Sequence, residues 1–421
     1  MRGEYNGSMQ EQRTTVAISG GGPAGVMLGL LLARQGVEVT VLEKHADFLR
    51  DFRGDTVHPM TLDILDELGL IDEFDAFVRG RMEAVDFATT EGVLVHQDLA
   101  SVAPRGARFT DIALAPQWDL LDLLVRKAAE YPSFSLVMEA ETTGVLRDAQ
   151  GVRGLRYRKD GREHVLRAVV TVAADGRHSV LREAIATGLV VLGSPIDVLW
   201  FRIDREEDEP TELRGVIGRG GAAVAINRGD YWQVAFLVPK GTDDEIRAAG
   251  LPAFRERVRG VAAWMGDRLD QLRSWDDVKL LSVSVERLRQ WSAPGILAIG
   301  DAAHTMSPLG GVGVNLAIGD AVAAANLLGP DLLRAQQDPR RFEKLLNPAI
   351  LDRVQQRRQL TTMVTQRIQV LGQNRVNAIT RTPEGASLMP PRAALAVMRG
   401  PVARLLPRVF VYGIRPERVA R

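Results

Sequence analysis

A glycine turn set between two apolar runs constrains this chain more than anything else in it. Thr15-Val-Ala-Ile-Ser19 reads as a buried strand, and Gly20-Gly21-Gly22-Pro23-Ala24-Gly25 turns it into the helical run Val26 to Gln35. Gly36 stops that helix, and Val37-Glu-Val-Thr-Val-Leu42-Glu43 is a second strand ending in an acid. In this context the glycines have separate tasks. Gly20 allows the tight turn, Gly22 lets a pyrophosphate reach backbone, and Gly25 lets helix and strand pack closely. Glu43, about twenty residues on, stands where a carboxylate takes ribose hydroxyls. The unit predicts a parallel sheet with right-handed crossovers and a dinucleotide at the helix N-terminus, where free N–H groups favour an anion.

A second glycine-lined opening lies far downstream. Ile296 to Ile299 reads as a buried strand ended by Gly300-Asp301. Gly310, Gly311 and Gly313 then lead into a helix over Asn315 to Leu328. By itself this would pass as an ordinary strand–turn–helix. A third segment, Val169-Val-Thr-Val-Ala-Ala-Asp175-Gly176-Arg177-His178-Ser179-Val180-Leu181-Arg182, is another buried strand running into a turn. Its bland alternative has Asp175 simply capping the next helix.

Together the three segments resemble the single-component FAD-dependent aromatic hydroxylases of the para-hydroxybenzoate hydroxylase type, over roughly residues 14–330. Gly20, Gly22, Pro23, Ala24 and Gly25 with Glu43 and the adjacent Lys44 match the N-terminal FAD motif. Asp175-Gly176 matches the middle motif, and Gly300-Asp301 with Pro308, Gly311, Gly313, Val314 and Asn315 matches the C-terminal one. Arg53-Gly54, followed by Val57-His58-Pro59, resembles the arginine segment beside the FAD. Pro116-Gln117-Trp118 resembles the helix opening whose polar first residue, Gln117, touches the cofactor. The tail, with Gln355-Gln356-Arg357-Arg358 and Tyr412-Gly-Ile-Arg415-Pro416-Glu417, resembles a bacterial branch of the family. Two departures stand out: Val312 occupies a position where many members carry glutamine, and no tyrosine pair suited to phenol deprotonation is evident.

The resemblance implies FAD as cofactor and NADPH or NADH as a transient reductant. One atom of molecular oxygen would be delivered through a C4a-hydroperoxyflavin to an aromatic or polycyclic small molecule, the other leaving as water. The protein's work would be placement, electrostatics and exclusion of water. A helix beginning near Val312 to Asn315 would stabilise negative charge on reduced flavin, and Pro308 would form a stiff wall beside its ring. Three alternatives share the architecture. The tryptophan-x-tryptophan signature of flavin halogenases is absent, since no two of the six tryptophans stand two apart. A flavin-dependent reductase or dehydrogenase of an unsaturated molecule, and a catalytically silent FAD-binding protein, stay open.

Composition narrows the partners. With 53 basic and 53 acidic residues the net charge is zero, which gives no steering toward nucleic acid or an anionic membrane. There is no cysteine, hence no disulfide or thiolate-bound metal. The six histidines lack metal-ligand spacing, and His304 is expected to pack its turn rather than act as an acid or base. No run of eighteen apolar residues occurs, and residues 1–13 lack the apolar core of a signal peptide. The expectation is a cytoplasmic protein without a membrane span, with Met1 to Ser8 outside the fold.

The expected fold is α/β: a Rossmann-like FAD-binding domain with a parallel sheet, an antiparallel-sheet substrate domain and a C-terminal helical segment. The FAD-binding domain would take 14–80, 106–189 and 281–340, the substrate sheet 81–105 and 190–280, and the helical region 341–421. Strands are expected over Ser135 to Asp148, Val152 to Arg158 and Glu163 to Val172, with a hairpin turn at Asp160-Gly161. In the roof over the flavin they fall at Val190 to Leu192, Val198 to Ile203, Arg214 to Ile217, Ala222 to Ile226 and Tyr231 to Val238. Asp243 to Val258 should be helical, and Val278 to Arg287 the returning strand. Pocket candidates on this roof are Trp200, Arg202, Tyr231 and Gln233. Trp200 and Arg202 share one strand face by alternation, as do Tyr231 and Gln233, without indicating which face meets the flavin.

Overall fold

The computed structural model describes residues 11–49, 56–185, 188–209, 213–338, 347–391 and 405–420. Its helices, in chain order, are α1 (Pro23–Arg34), α2 (Pro59–Glu67), α3 (Ile71–Asp75), α4 (Gln117–Ala128), α5 (Asp243–Ala248), α6 (Leu251–Val261), α7 (Gly313–Gln337), α8 (Pro348–Thr380) and α9 (Leu405–Tyr412).

Glu11–Ser19 lies at the centre of the first sheet. Val39–Leu42 and then Phe134–Val137 run parallel on one side, Arg162–Ala173 and Ile296–Ala298 on the other. Val16, Ala17, Ile18, Val39 and Val41 are excluded from solvent, as strands covered on both faces must be. Helix α1 packs against α4 and α7 beside them. Ser135 to Asp148, expected as one strand, is two. Phe134–Val137 belongs to the parallel ladder, whereas Glu141–Asp148 pairs antiparallel with Gly151–Lys159; the chain turns between them at Glu139, φ 57°. The hairpin at Asp160-Gly161 has positive φ at both residues, 50° and 71°, the twist that two-residue hairpins favour.

The roof is a seven-stranded sheet among the described residues. Its order is Lys279–Leu281, Ile196–Asp204, Tyr231–Pro239, Gly221–Asn227, Arg214–Gly218, Ala84–Thr89 and Gly92–Asp98. It is antiparallel except where Val216 and Ile217 pair parallel with Ala88 and Thr89. One face, with Leu199, Phe201, Ile203, Trp232, Val234 and Phe236, packs on Phe254 and Val258 of α6. The opposite face, with Val198, Trp200, Ala222, Ala235 and Leu237, meets Val376 of α8.

Three further expectations are corrected. Leu189–Val191 is not part of the roof; it pairs with Glu286–Leu288, which also pairs with His304–Thr305. Val278 to Arg287 is therefore split between two sheets, Lys279–Leu281 staying in the roof. Asp243 to Val258 is broken into α5 and α6 at Gly250, whose φ of 89° and neighbouring Pro252 end a helix.

Helix α7 runs well past Leu328 to Gln337. Within Leu309–Gln337 an 18-residue window, with mean hydropathy 1.4, is long and apolar enough to cross a membrane, but 78% of it is buried inside the fold, so this is a core helix. Helix α8 has 33 residues, about 50 Å at 1.5 Å per residue. It packs on α7 and also meets the roof strands, where Gly220 N donates to Thr380 O at 2.8 Å.

Candidate flavin site

The three motif segments meet in space. Gly20 has φ 106°, and a Cβ there would collide with the carbonyl of Ala174 and lie 2.9 Å from Cα of Asp175. Gly300, φ 57°, faces the first helix: a Cβ on it would stand 3.1 Å from Cβ of Ala24 and 3.4 Å from Cβ of Ala317. A Cβ on Gly25 would strike the Gly20 carbonyl, so helix and turn touch backbone to backbone. Gly22 differs, since nothing lies within 4 Å of the place where its side chain would be. Pro23 opens α1, whose N-terminus has no side-chain cap.

Glu43 ends its strand buried, its Oε2 accepting from Gly21 N at 2.9 Å. Its Oε1 accepts from His45 N at 3.0 Å and His45 Nδ1 at 2.5 Å. Burial works against ionisation there, but the hydrogen bonds from His45 and Gly21 hold the carboxyl below its usual range. Lys44 beside it is exposed. Asp175 caps its own turn, Oδ2 accepting from Val180 N at 3.0 Å, while Oδ1 is buried without a partner. Burial pushes its carboxyl upward. Arg182, whose role the sequence does not reveal, carries this turn to the next one. Its guanidinium donates to Ala302 O at 2.8 Å, Asp301 O at 2.6 Å and Glu286 at 2.9 Å.

The C-terminal motif is held from two sides. Gly310 and Gly311 have φ 76° and 62°; a Cβ on the first would strike the Phe410 ring, and one on the second Thr56 Oγ1. Thr56 Oγ1 donates to Gly311 O at 3.0 Å, and His58 Nε2 to Gly310 O at 3.1 Å. Asn315 Oδ1 accepts from His58 N at 2.9 Å and Thr61 Oγ1 at 2.8 Å, while Nδ2 donates to Thr56 O and Gly311 O, both at 3.1 Å. Its amide is thus saturated, and it ties the glycine loop to the segment that follows Arg53. Arg53 itself lies outside the described residues. Gln117 opens α4 just after Ile112–Leu114, a strand paired with Thr56–Val57, which brings it to the same region. Gly313 and Val314 begin α7, again without a side-chain cap, and Gly313 faces open space. Burial pushes the His58 imidazole down to about 4, only partly opposed by the carbonyls of Gly310, Val411 and Phe410.

Beneath Gly300 sits a charged cluster that the sequence reading missed. Asp320 Oδ2 accepts from Gly300 N at 3.0 Å and His304 Nε2 at 2.6 Å, and Oδ1 from Arg358 Nε at 2.9 Å. Burial would raise the Asp320 carboxyl, yet His304 and Arg358 together hold it low. His304 is also against the Trp291 ring, 4.9 Å between centroids, which is the packing role expected for it. A single acid within the apolar run Leu316 to Ala325 was the available signal for Asp320.

Of the four roof candidates, Trp200 and Gln233 are buried, Tyr231 is half-buried and Arg202 is exposed. All four share the α8-side face, because Trp200 pairs with Ala235, Arg202 with Gln233 and Asp204 with Tyr231. Gln233 Oε1 accepts from Arg228 Nε at 2.7 Å and from a second guanidinium nitrogen at 2.5 Å, and its Nε2 is buried with no partner. Arg228 stacks over the Trp118 ring at 5.5 Å, so the hairpin tip reaches the helix that begins at Gln117.

These residues fit a flavin dinucleotide. Gly22 and Gly313 leave room, two uncapped helix N-termini offer N–H donors, and Asp175 Oδ1 is a spare buried acceptor. Among the described residues no cluster of three histidine or carboxylate side chains could hold a metal.

Comparison with known proteins agrees. Residues 13–342 match the family model described as FAD binding domain. The chain is 32% identical over 419 residues to the 6-methylpretetramide 4-monooxygenase of Streptomyces rimosus, covering 96% of this chain and 94% of that one. In fold it is similar to PqsL, a probable FAD-dependent monooxygenase from Pseudomonas aeruginosa, with TM-score 0.71, 23% identity and coverage of 87% and 97%. It is similarly related to the OxyS anhydrotetracycline hydroxylase from Streptomyces rimosus, with TM-score 0.70, 20% identity and coverage of 96% and 77%. The chain belongs to the FAD-binding-domain family and is an FAD-dependent monooxygenase.

Proposed function

We propose that this protein is a cytoplasmic enzyme that hydroxylates a polycyclic aromatic small molecule with NAD(P)H and molecular oxygen. The observation that carries the substrate class is the α8-side face of the roof. Its centre is apolar and built partly of small residues, Val198, Trp200, Ala222, Ala235 and Leu237, while Gln233 and Arg202 stand toward one end. A flat fused-ring system with carbonyl or phenolic groups at one edge complements such a face. The name of the Streptomyces rimosus relative points the same way.

Bound FAD would supply the redox chemistry, taking a hydride from the nicotinamide and activating oxygen. The chain's own residues do the rest. Gly20, Gly22, Pro23, Ala24 and Gly25 present α1's free N–H groups to the pyrophosphate. Glu43 and Lys44 would serve the ribose, and Asp175, Asp301 and Gln117 the phosphate and ribityl oxygens, a role that Arg53 would share by its sequence motif alone. Gly311, Gly313 and Val314 would present the uncapped opening of α7 to the ring, where its N–H groups would stabilise negative charge. Asn315 acts by fixing that loop, Pro308 forms the wall, and Trp200 covers the substrate and keeps water away. In this arrangement residues 14–80, 106–189 and 281–340 hold the cofactor, and 81–105 with most of 190–280 covers the substrate.

The test is NAD(P)H oxidation and oxygen uptake by the yellow holoenzyme across a panel of polycyclic phenols and quinones, with products followed by mass under labelled oxygen. A product carrying one labelled oxygen atom is the expected result. Sustained turnover without oxygen would make the protein a reductase instead. Background oxidation with every compound would make it a silent FAD-binding protein.

A further inference from the structure

Helix α8 begins beyond the part of the chain that matches the family model, yet it carries buried amides directed at the C-terminal flavin motif. Gln366, Gln369 and Gln373 lie three and four residues apart, on one face, and all are excluded from solvent. Burying an amide is costly unless its polar atoms are used, so their partners are informative. Gln369 Oε1 accepts from Ser307 N at 3.0 Å, and Nε2 donates to Ser307 O at 2.8 Å and Leu309 O at 2.9 Å. One side chain therefore satisfies three backbone groups on the two sides of Pro308. Gln373 Nε2 donates to Ser307 Oγ, which also accepts from Leu309 N at 3.1 Å. Gln366 Nε2 donates to Thr305 O at 3.1 Å and Glu286 O at 2.9 Å. Gly372 completes the contact, since a Cβ there would stand 3.0 Å from Leu309 Cδ2. Farther along, Val376 packs on the Trp200 face, and Thr380 O takes the hydrogen of Gly220 N.

We propose that Gln369 and Gln373 are positioning residues that set Pro308 relative to the flavin, and that α8 thereby fixes the spacing between flavin loop and roof. The proposal rests on Pro308 being the wall of the flavin site. Loop backbone of this kind has no ladder of its own to satisfy it, so the amides of α8 replace one. A purely architectural role would affect stability alone. Gln355 supplies the control: it clamps backbone in the same way, accepting from Trp291 N and donating to Arg289 O, both at 2.9 Å, but away from Pro308.

The experiment compares Gln369→Glu, Gln373→Leu and Gln355→Leu. Gln369→Glu keeps the acceptor for Ser307 N and loses the two donated bonds. Three quantities are read beside thermal stability: amide exchange of residues 304–314 in FAD-free protein, the FAD dissociation constant, and the share of NAD(P)H electrons released as hydrogen peroxide. For Gln369→Glu and Gln373→Leu we expect faster exchange at Leu309 to Val314 and a larger peroxide share. FAD binding should weaken about tenfold in Gln373→Leu, as for one lost buried hydrogen bond, and further in Gln369→Glu, which loses two. Gln355→Leu should lower the melting temperature and leave all three alone. Wild-type values in both loop variants, or equal changes in Gln355→Leu, would overturn the proposal. Should Gln369→Glu fail to fold, Gln373→Leu decides, since it removes a single side-chain bond. Wild-type protein that binds no FAD would defeat the flavin reading, whereas the exchange rates of FAD-free protein would still judge the loop.

Discussion

Arg358 donates to Asp320 at 2.9 Å with both side chains completely excluded from solvent. The same guanidinium reaches Glu417 at 3.3 Å, and the other oxygen of Asp320 holds the backbone turn before Asp301. A buried pair of this kind is weak evidence for stability as a pair, but removing one member leaves an uncompensated charge. Arg358→Met is expected to cost about 3–5 kcal/mol. Combining it with Asp320→Asn should recover part of that loss. Denaturant unfolding of the two variants checks both statements, and a single variant as stable as the parent would contradict the first.

His58 sets a pH dependence whose sign follows from its environment. Its folded-state pKa is about 4, below the unfolded value of about 6.5, so the unfolded chain binds more protons between the two. The contribution of His58 is complete above about pH 6.5 and is lost as pH falls toward 4. The melting temperature should drop from pH 7.5 to pH 5, and His58→Gln should flatten that interval. An unaltered slope in the variant would show that other groups cause the drop.

Gly22 and Gly25 should separate binding from folding. A side chain at Gly22 meets open space in the protein, so Gly22→Val should fold normally and fail to retain FAD. At Gly25 a side chain meets the Gly20 carbonyl, so Gly25→Val should lower stability itself. Circular dichroism melts and flavin absorbance of the purified variants distinguish the two. A yellow, stoichiometric Gly22→Val would remove the pyrophosphate assignment.

Arg182 links the middle motif to the carbonyls of Asp301 and Ala302 through a planar fork of donors. Lysine cannot reproduce that fork. Arg182→Lys should therefore weaken FAD binding by about tenfold with little loss of secondary structure. Fluorescence titration with FAD checks it, and wild-type affinity would count against it.

Part of the glycine pattern is legible because Gly20, Gly300, Gly310 and Gly311 have positive φ, a conformation that other residues rarely adopt, while Gly22, Gly25 and Gly313 mark places where backbone is approached closely or left open. The roof strands from Ile196 to Pro239 were legible from alternation and the tight turn at Gly229. Leu189–Val191 and Glu286–Leu288 were misplaced because a three-residue strand carries no mark of its partner. The glutamines of α8 were invisible for a different reason. A buried amide is spelled like a surface one, and Gln369 finds its backbone partners some sixty positions away. Arg357-Arg358 and Glu417 stand out in the tail as charged segments, but only the fold shows that they pair with each other.

Because α8 touches both the glycine loop and the underside of the roof, the two sheets cannot be exchanged independently. A chimera that borrows a relative's residues 190–280 to acquire a new substrate inherits a floor registered by the host's own glutamines. Grafts that carry residues 347–380 along with the borrowed sheet should stay coupled, and those that leave them behind should waste reductant.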